Sequence, residues 1–404
     1  MMFLQYAIWG SWAAVLGAYL GNPPPGADPN LYLKFTPMQV GAIFSLVPLA
    51  MVITPFIFGQ LADRVFATQY LIAICQIAGS VVLFLLASVD QYGPFFRLMA
   101  LYALISVPTF ALTNSITFAN INDAKREFGG IRAWGTLGWL AAGLALTAWR
   151  LWLPSVRGDL YYLAGGLALF SGFFSLTLPH TPPKKEGTNP FAFIEAVKLL
   201  KNYNFAVFIA ISFLLSTQVD FYYIFISPFL EHLGFLRASV PAVMTLANIA
   251  ELIVMAVLLP RLLPRLGTRR LLMIGILAWP LRYAVFAFLP IKAFAAAALT
   301  LHGLGFVFLF VVGFIYVDQI ATDNIRASSQ ALLTSLVWGL ARFAGSRFAG
   351  WVQGHYLVAG QTDFHMTFLV PCLATLICAL ALICFLRDDK PTASKTSIRE
   401  PAAI

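Results

Sequence analysis

The stretch His180-Thr-Pro-Pro-Lys-Lys-Glu-Gly187 decides the fold, because it divides a very apolar chain of 404 residues into two halves. Its Pro and Lys residues oppose a continued helix, and 179–202 is the longest polar stretch inside the chain, so we expect a linker there. About 20 apolar residues cross a bilayer as a helix. Twelve apolar runs of that kind flank the linker, six on each side: 2–21, 37–60, 69–88, 94–121, 131–153 and 160–178, then 204–230, 238–262, 270–289, 294–322, 328–354 and 366–387.

The composition indicates a membrane protein. The chain is 60% hydrophobic and 11% charged with a mean hydropathy of +0.82, whereas a soluble domain has about 25% charged residues. The net charge of +9 does not indicate nucleic-acid binding, because the basic residues lie in short loops between apolar runs. Most of them fall on one side if both termini are cytoplasmic, which satisfies the positive-inside rule. We predict an all-α polytopic membrane protein with twelve transmembrane helices in two six-helix bundles.

The same pattern predicts the domain organisation. We expect one bundle over 1–178, a cytoplasmic linker with a short interfacial helix over 179–203, a second bundle over 204–387 and a cytoplasmic tail over 388–404. The basic turns Gly59-Gln-Leu-Ala-Asp63-Arg64 and Arg261-Leu-Leu-Pro-Arg265 follow the second and eighth runs, about half the chain apart. Such an echo is typical of transporters built from repeats, whose binding site lies between the repeats near the bilayer midplane.

Two acids are the strongest functional signal. Asp220 and Glu251 each lie near the middle of an apolar run, where a carboxylate costs about 2.5–3.5 kcal/mol on insertion scales. Each is either a packing acid paired with an Arg or a proton carrier or substrate ligand. Asn248 precedes Glu251 by three residues, so the two share a helix face.

Buried cations are the second signal. Arg282 and Arg342 lie inside apolar runs and need partners. They pair with Asp220, Glu251 or a backbone carbonyl, or they bind an anionic substrate. Arg132, Thr136 and Trp139 are spaced to share one face of the fifth run.

Other residues add less. Trp9 and Tyr223 lie deeper than an interfacial aromatic belt requires, so they are candidates for stacking on a flat substrate, and Asn114 is a polar residue at a similar depth. We place His302 and His355 near the outer surface.

The four cysteines lack metal-ligand spacing, and the chain has no HExxH, GxSxG or P-loop motif. We therefore expect no metal, no cofactor and no enzyme activity, and ATP hydrolysis by this chain is excluded.

The turn Gly59-Gln-Leu-Ala-Asp63-Arg64 resembles the loop signature of the major facilitator superfamily. The resemblance implies that Asp63 and Arg64 act in gating at the cytoplasmic side. A narrower resemblance, to the bacterial nucleoside:proton symporter family, runs along most of the chain. Its matching stretches are Phe3-Leu-Gln-Tyr-Ala-Ile-Trp9-Gly-Ser-Trp12, Ile131-Arg132-Ala-Trp134-Gly135-Thr136-Leu-Gly138, Thr177-Leu-Pro-His180, Ala278-Trp279-Pro-Leu-Arg282 and Ile325-Arg326-Ala-Ser-Ser-Gln330.

This resemblance implies a substrate site. Arg132, Thr136 and Trp139 match substrate-site positions in span five, Asn248 and Glu251 match a Gln/Glu pair in span eight, and Phe306 matches an aromatic in span ten. Four positions differ from the family. Val307 replaces an acid, Asp220 and Tyr223 replace a Gln and an Asn in span seven, and Arg342 replaces an apolar residue in span eleven.

Together these observations predict a monomeric secondary transporter in the bacterial inner membrane. We expect proton-coupled import of nucleosides or similar small polar solutes by alternating access. The predicted substrate-binding residues share one cavity: Arg132, Thr136, Trp139, Asp220, Tyr223, Asn248, Glu251 and Phe306. Glu251 and Asp220 are the predicted proton-coupling residues, and Arg282 and Arg342 their charge partners. A sugar:proton symporter is the main alternative; a drug efflux carrier and a membrane protein without transport activity are the others.

Overall fold

The computed structural model describes residues 1–64, 66–182, 197–321 and 326–387, and these residues are almost entirely helical. Seven helical stretches are long and apolar enough to cross a membrane. One of them, Val240–Phe288, turns at Gly267, whose φ of 74° is a left-handed conformation that glycine adopts without strain, so it supplies two spans. With four further helical segments, the described residues form twelve membrane spans, which confirms the predicted fold class.

The first half contains spans 1 to 6. Span 1 is Met2–Gly10 and Leu16–Leu20, span 2 is Pro37–Phe44 and Leu46–Arg64, span 3 is Thr68–Ser88, span 4 is Tyr92–Ser106 and Pro108–Ala119, span 5 is Ala124–Trp152, and span 6 is Asp159–Ser175. A short 3-10 turn, Pro29–Leu31, lies between spans 1 and 2.

The second half contains spans 7 to 12 and follows the 3-10 turn Leu199–Lys201. Span 7 is Tyr203–Ser216 and Val219–His232, span 8 is Val240–Ile253 continued by Val254–Leu258, and Leu259–Phe288 completes span 8 and forms span 9. Span 10 is Lys292–Leu299, Leu301–Phe306, Val307–Val311 and Val312–Ile320, span 11 is Arg326–Leu333, Thr334–Leu340 and Ala341–His355, and span 12 is Phe364–Phe385. Strand β1, Leu357–Val358, pairs with β2, Gln361–Thr362, between the last two spans.

Local sequence signals set the ends of the spans. Span 2 begins with a capping box, in which the Thr36 amide donates to the Gln39 side chain at 2.9 Å and the Gln39 amide donates to the Thr36 hydroxyl at 3.4 Å. Pro37 follows at the first helical position, where its missing N–H costs no hydrogen bond. Asp363 caps span 12 by accepting from the Met366 amide at 3.1 Å.

Among the described residues, the main contacts between the two halves are formed by three pairs of spans. Span 1 packs on span 7, span 2 on span 11, and span 5 on span 8. We call the end where span 6 leads towards the linker the linker end; there His180 lies 2.7 Å from Gln69 of span 3. The other is the opposite end. The predicted interfacial helix lies largely outside the described residues, as does the tail.

Glycines bring the halves into close contact towards the opposite end. A side chain on Gly350 of span 11 would lie 2.5 Å from the Pro37 carbonyl oxygen of span 2, and one on Gly17 of span 1 would overlap the Ile224 carbonyl of span 7. Backbone contacts this close require glycine. The Ala18 amide also donates to the Ser227 hydroxyl at 3.0 Å across the same contact. The halves are therefore packed together at this end.

Candidate functional site

A central cavity of about 650 Å³ lies between the two halves. Its walls come from spans 1, 2, 4 and 5 of the first half and from spans 7 and 11 of the second. Cavities of about 300–1,000 Å³ are typical of small-molecule sites. Phe58 and Ser115 line it towards the linker end, whereas the opposite end is closed by the packed glycines. For the described residues, the arrangement is that of a carrier open towards the linker end.

Aromatic rings form much of the cavity wall. Trp9 contacts Trp12 and Phe110 with ring centroids 5.0 and 5.1 Å apart, and all three line the cavity. On the other side Trp338 lines it and packs against Phe310 at 4.7 Å. Such rings offer flat apolar surfaces to a planar ligand, and Asn114 on the same wall adds a polar group.

Asp220 and Arg342 form an ion pair beside the cavity. Arg342 Nη2 donates to Asp220 Oδ1 at 2.6 Å and Nε donates to Oδ2 at 3.3 Å, a two-point contact between spans 7 and 11. Asp220 is fully buried, whereas Arg342 lines the cavity together with Tyr223. We expected Asp220 to line the cavity, but it does not reach it, because the Arg342 side chain lies between the Asp220 carboxylate and the cavity.

Of the other predicted site residues, only two line the cavity, and Arg132, Thr136, Asn248, Glu251 and Phe306 do not. Trp139 and Tyr223 line it directly, and behind them a side pocket of about 30 Å³ is lined by Asn248, among others. Thr136 is buried, at 8% exposure. Phe306 lies behind Trp338, with ring centroids 5.7 Å apart.

Arg132 and Glu251 lie on facing spans of the two halves. The Arg132 guanidinium stacks on the ring of Tyr6, 4.1 Å from its centroid, and Tyr6 lines the cavity. Glu251 is partly exposed and interacts electrostatically with Arg132 and Tyr6. Among the described residues Glu251 forms no ion pair within 4.0 Å. Within the part of the chain that the structure describes, Glu251 is therefore an acid that no cation holds in a fixed contact.

Arg282 has a different environment from the expected one. Its guanidinium packs on the rings of Tyr222 and Trp279, 4.4 Å from each centroid, and its Nη1 lies 3.0 Å from His302 Nδ1. No acid pairs with it among the described residues, so Arg282 is not a charge partner of Asp220 or Glu251. His302, which we placed near the outer surface, is only 5% exposed.

Sequence reasoning missed Tyr222, Tyr6 and Trp338, and it misplaced His302. The signal for His302 was present, because it is a titratable residue inside the tenth apolar run, four residues before Phe306. The structure does not describe the side chains of Asp63 and Arg64, so the role of these two residues in gating stays a prediction.

A polar network holds the halves together at the opposite end. Arg150 of span 5 donates to Asp159 of span 6 at 2.7 and 2.8 Å, and Arg237, from the loop between spans 7 and 8, donates to the same carboxylate at 3.1 Å. The Tyr32 hydroxyl donates to Glu231 at 2.8 Å. Burial, with the nearby Glu231 carboxylate, raises the pKa of Tyr32, so its hydroxyl stays protonated as a donor.

Comparison with solved structures identifies the class of protein. The crystal structure of the nucleoside transporter NupG superposes with a TM-score of 0.84 at 26% identity, covering 96% of this chain and 98% of that one. The peptide transporter PepTSo shares the fold, with a TM-score of 0.73 at 12% identity. The twelve spans and the cavity between their halves therefore define a membrane transporter with the major facilitator fold, not an enzyme.

Sequence comparison gives the family. The chain belongs to the nucleoside H+ symporter family, whose profile matches residues 1–391. The YegT protein of Escherichia coli (strain K12) is 33% identical over 367 residues, 87% of this chain and 82% of that protein. The xanthosine permease of the same organism is 30% identical, covering 92% of this chain and 90% of the permease. These findings confirm the family resemblance drawn from the sequence.

Proposed function

We propose that this protein imports nucleosides together with protons across the bacterial cytoplasmic membrane. The observation that carries the proposal is the central cavity, whose aromatic walls and few polar groups suit a flat base joined to a hydroxylated sugar. The names of the relatives support the same substrate class. The excess of Lys and Arg in the loops of the linker end supports an orientation with both termini in the cytoplasm.

The proposed mechanism is alternating access. The bundles 1–178 and 204–387 rock about the substrate, joined by the linker 179–203, and the tail 388–404 is proposed to be cytoplasmic. The opposite end is closed by packed glycines and by the Tyr32–Glu231 contact between the halves. Opening that end requires these contacts to separate while the linker end closes. One copy supplies the whole lining of the cavity among the described residues, so a monomer would suffice for the proposed transport.

Glu251 is the proposed proton-coupling residue. It lies on span 8, which packs on span 5, and interacts electrostatically with Tyr6 of the cavity wall, and no cation pairs with it at contact distance among the residues described. Protonation would neutralise it, which lowers the cost of burying it when the halves reorient. Asp220 is paired with Arg342, so protonation of the Asp220 carboxylate would release the Arg342 side chain from its contact. The proposed role of Asp220 is therefore to make the mobility of the Arg342 side chain depend on proton binding.

Counterflow in liposomes tests the substrate class. Purified protein is reconstituted with internal unlabelled uridine, adenosine or inosine, and the entry of labelled nucleoside is followed at equal pH. We expect exchange that excess nucleoside inhibits and excess maltose does not. Exchange inhibited by sugars and indifferent to nucleosides would favour the alternative of a sugar:proton symporter, and the absence of exchange for every solute would contradict transport.

A further inference from the structure

The guanidinium of Arg342 is held in a fixed orientation with donors to spare. A guanidinium has five N–H groups in a planar fork. Asp220 accepts from Nε and from Nη2, and Asp220 is fully buried, so one edge of the fork is fixed. Nη1 has no hydrogen-bond partner among the described residues, and the Arg342 side chain is 13% exposed on the cavity wall. The unused donors are therefore available to a ligand in the cavity.

The surroundings of Arg342 suit a planar ligand. The ring centroids of Tyr223 and Trp338 lie 4.9 and 5.7 Å from its guanidinium carbon, and both rings line the same cavity. A base that stacks on one of these rings brings its edge, not its face, towards the guanidinium. The part of the ligand that Arg342 recognises is then the edge of the base, with two acceptor atoms spaced to accept from two parallel N–H groups of the guanidinium.

The charge balance favours a neutral acceptor edge over an anion. Asp220 already compensates Arg342, so the pair carries no net charge. A phosphate or carboxylate would have to compete with a carboxylate that is fully buried and bound at two points. Carbonyl and ring-nitrogen acceptors need only the donors that Asp220 leaves unused.

We propose that Arg342 is a specificity-determining residue that selects 6-oxopurine nucleosides by donating to the O6 and N7 atoms of the base. This inference rests on the proposed function and names the preferred substrate within it. Two adjacent acceptors at O6 and N7 match an arginine fork, whereas adenine presents an amino donor beside N7. Inosine and guanosine therefore bind better than adenosine, although the three bases have similar shape and stacking surface.

Competition against labelled inosine in counterflow tests the proposal. Unlabelled inosine and guanosine should inhibit at concentrations at least about tenfold lower than those needed for adenosine. The reason is that the amino group of adenine, a donor, would face the N–H donors of the Arg342 guanidinium. The probe 7-deazainosine keeps O6 and the shape of the base but replaces N7 by carbon. It should also inhibit about tenfold less well than inosine, since one charge-assisted hydrogen bond is lost.

Arg342→Lys connects these preferences to the residue. Lysine keeps the charge beside Asp220 but is a point donor without a fork, so the preference for inosine over both adenosine and 7-deazainosine should fall to within about twofold. Arg347→Lys, on the exposed side of the same helix, is the matched control and should keep both preferences. If Arg342→Lys does not fold, the double variant Asp220→Asn/Arg342→Gln replaces the ion pair by neutral amides and should lose both preferences.

The outcomes separate this inference from the proposed function. Equal inhibition by inosine, adenosine and 7-deazainosine in the unmodified protein would overturn the role of Arg342 while leaving nucleoside transport intact. Preferences that survive in both the Arg342→Lys and the double variant would also overturn it. Failure of every nucleoside to exchange would instead overturn the proposed function itself.

Discussion

At the scale of single residues, the contact between Asp220 and Arg342 determines how the second half tolerates two charges inside the membrane. Removing one partner of a buried pair leaves an uncompensated charge, which costs about 3–5 kcal/mol when burial is complete. Arg342 reaches the cavity, so part of that cost is relieved by contact with its contents. The pair is thus a condition for stability as well as a candidate recognition element.

Asp220→Asn should lower the melting temperature of the purified protein by several degrees, because Arg342 loses its two-point acceptor. Asp220→Asn/Arg342→Gln should recover much of that loss, since neither residue of the pair then carries a charge. Thermal unfolding in detergent measures both. A double variant less stable than Asp220→Asn alone would mean that Arg342 is stabilised by something other than Asp220.

Glu251→Gln should abolish proton-driven accumulation while preserving exchange of nucleoside across the membrane. Exchange requires reorientation of the loaded carrier only, whereas net transport also returns the empty carrier, for which the charge of the cavity matters most. The measurement compares accumulation under an imposed pH gradient with counterflow at equal pH.

Asp90→Asn provides the control for Glu251→Gln. Asp90 forms a 3.4 Å contact with Arg157 at the exposed opposite end, and an exposed pair of this kind contributes about 0–1 kcal/mol. It should accumulate nucleoside like the unmodified protein. If Glu251→Gln accumulates equally well, Glu251 is not the coupling site and a facilitator mechanism becomes the better account.

At the scale of the elements, the crossing of spans 2 and 11 determines which end of the carrier is closed. Gly350→Ala places a methyl group 2.5 Å from the Pro37 carbonyl oxygen, whereas Gly354→Ala, one turn further on, meets nothing closer than 3.8 Å. Gly350→Ala should therefore push the halves apart at the opposite end and shift the carrier away from the state that is open towards the linker end.

Labelling of a single cysteine measures that shift. In a cysteine-free background, Ser115→Cys lies on the cavity wall and is accessible from the linker end. Gly350→Ala should slow its reaction with a membrane-impermeant thiol reagent added from that end, and Gly354→Ala should not. Equal rates in the two variants would mean that this crossing does not limit closure.

Three spans of the second half contain π-helical turns, at Val254–Leu258, Val307–Val311 and Thr334–Leu340. Such turns are frequent at functional sites, and the third includes Trp338 of the cavity wall. Apolar periodicity could not predict them, because a π turn changes the register of side chains without changing composition.

At the scale of the whole molecule, the network around Asp159 joins the halves, since Arg237 comes from the second half and Arg150 from the first. Arg237→Gln should weaken closure of the opposite end. Spin labels on Val156→Cys and Leu236→Cys, both exposed near that network, should then show a larger share of long distances. Arg157→Gln is the control, because Arg157 pairs with Asp90 within the first half; an equal change in both variants would contradict a specific role for Arg237.

The sequence was sufficient for the fold because lipid imposes a simple rule, in which every span needs a long apolar run. The polar linker and the basic turns then supplied the arrangement into halves. The site was harder to predict, because the position of a residue along a span does not determine which side chains of neighbouring spans it contacts. Asp220 was found as an intramembrane acid, but its burial behind Arg342 depends on the crossing of spans 7 and 11. Arg282 was expected beside an acid and lies among aromatic rings and His302 instead.

The central claim, proton-coupled transport of nucleosides through this cavity, is tested most directly by accumulation of labelled inosine in proteoliposomes under an imposed pH gradient, acidic outside. The account predicts accumulation well above the external concentration, its collapse when a protonophore removes the gradient, and none in liposomes that lack the protein. Equilibration to the external concentration with and without the gradient would contradict proton coupling, and the absence of protein-dependent entry would contradict nucleoside transport.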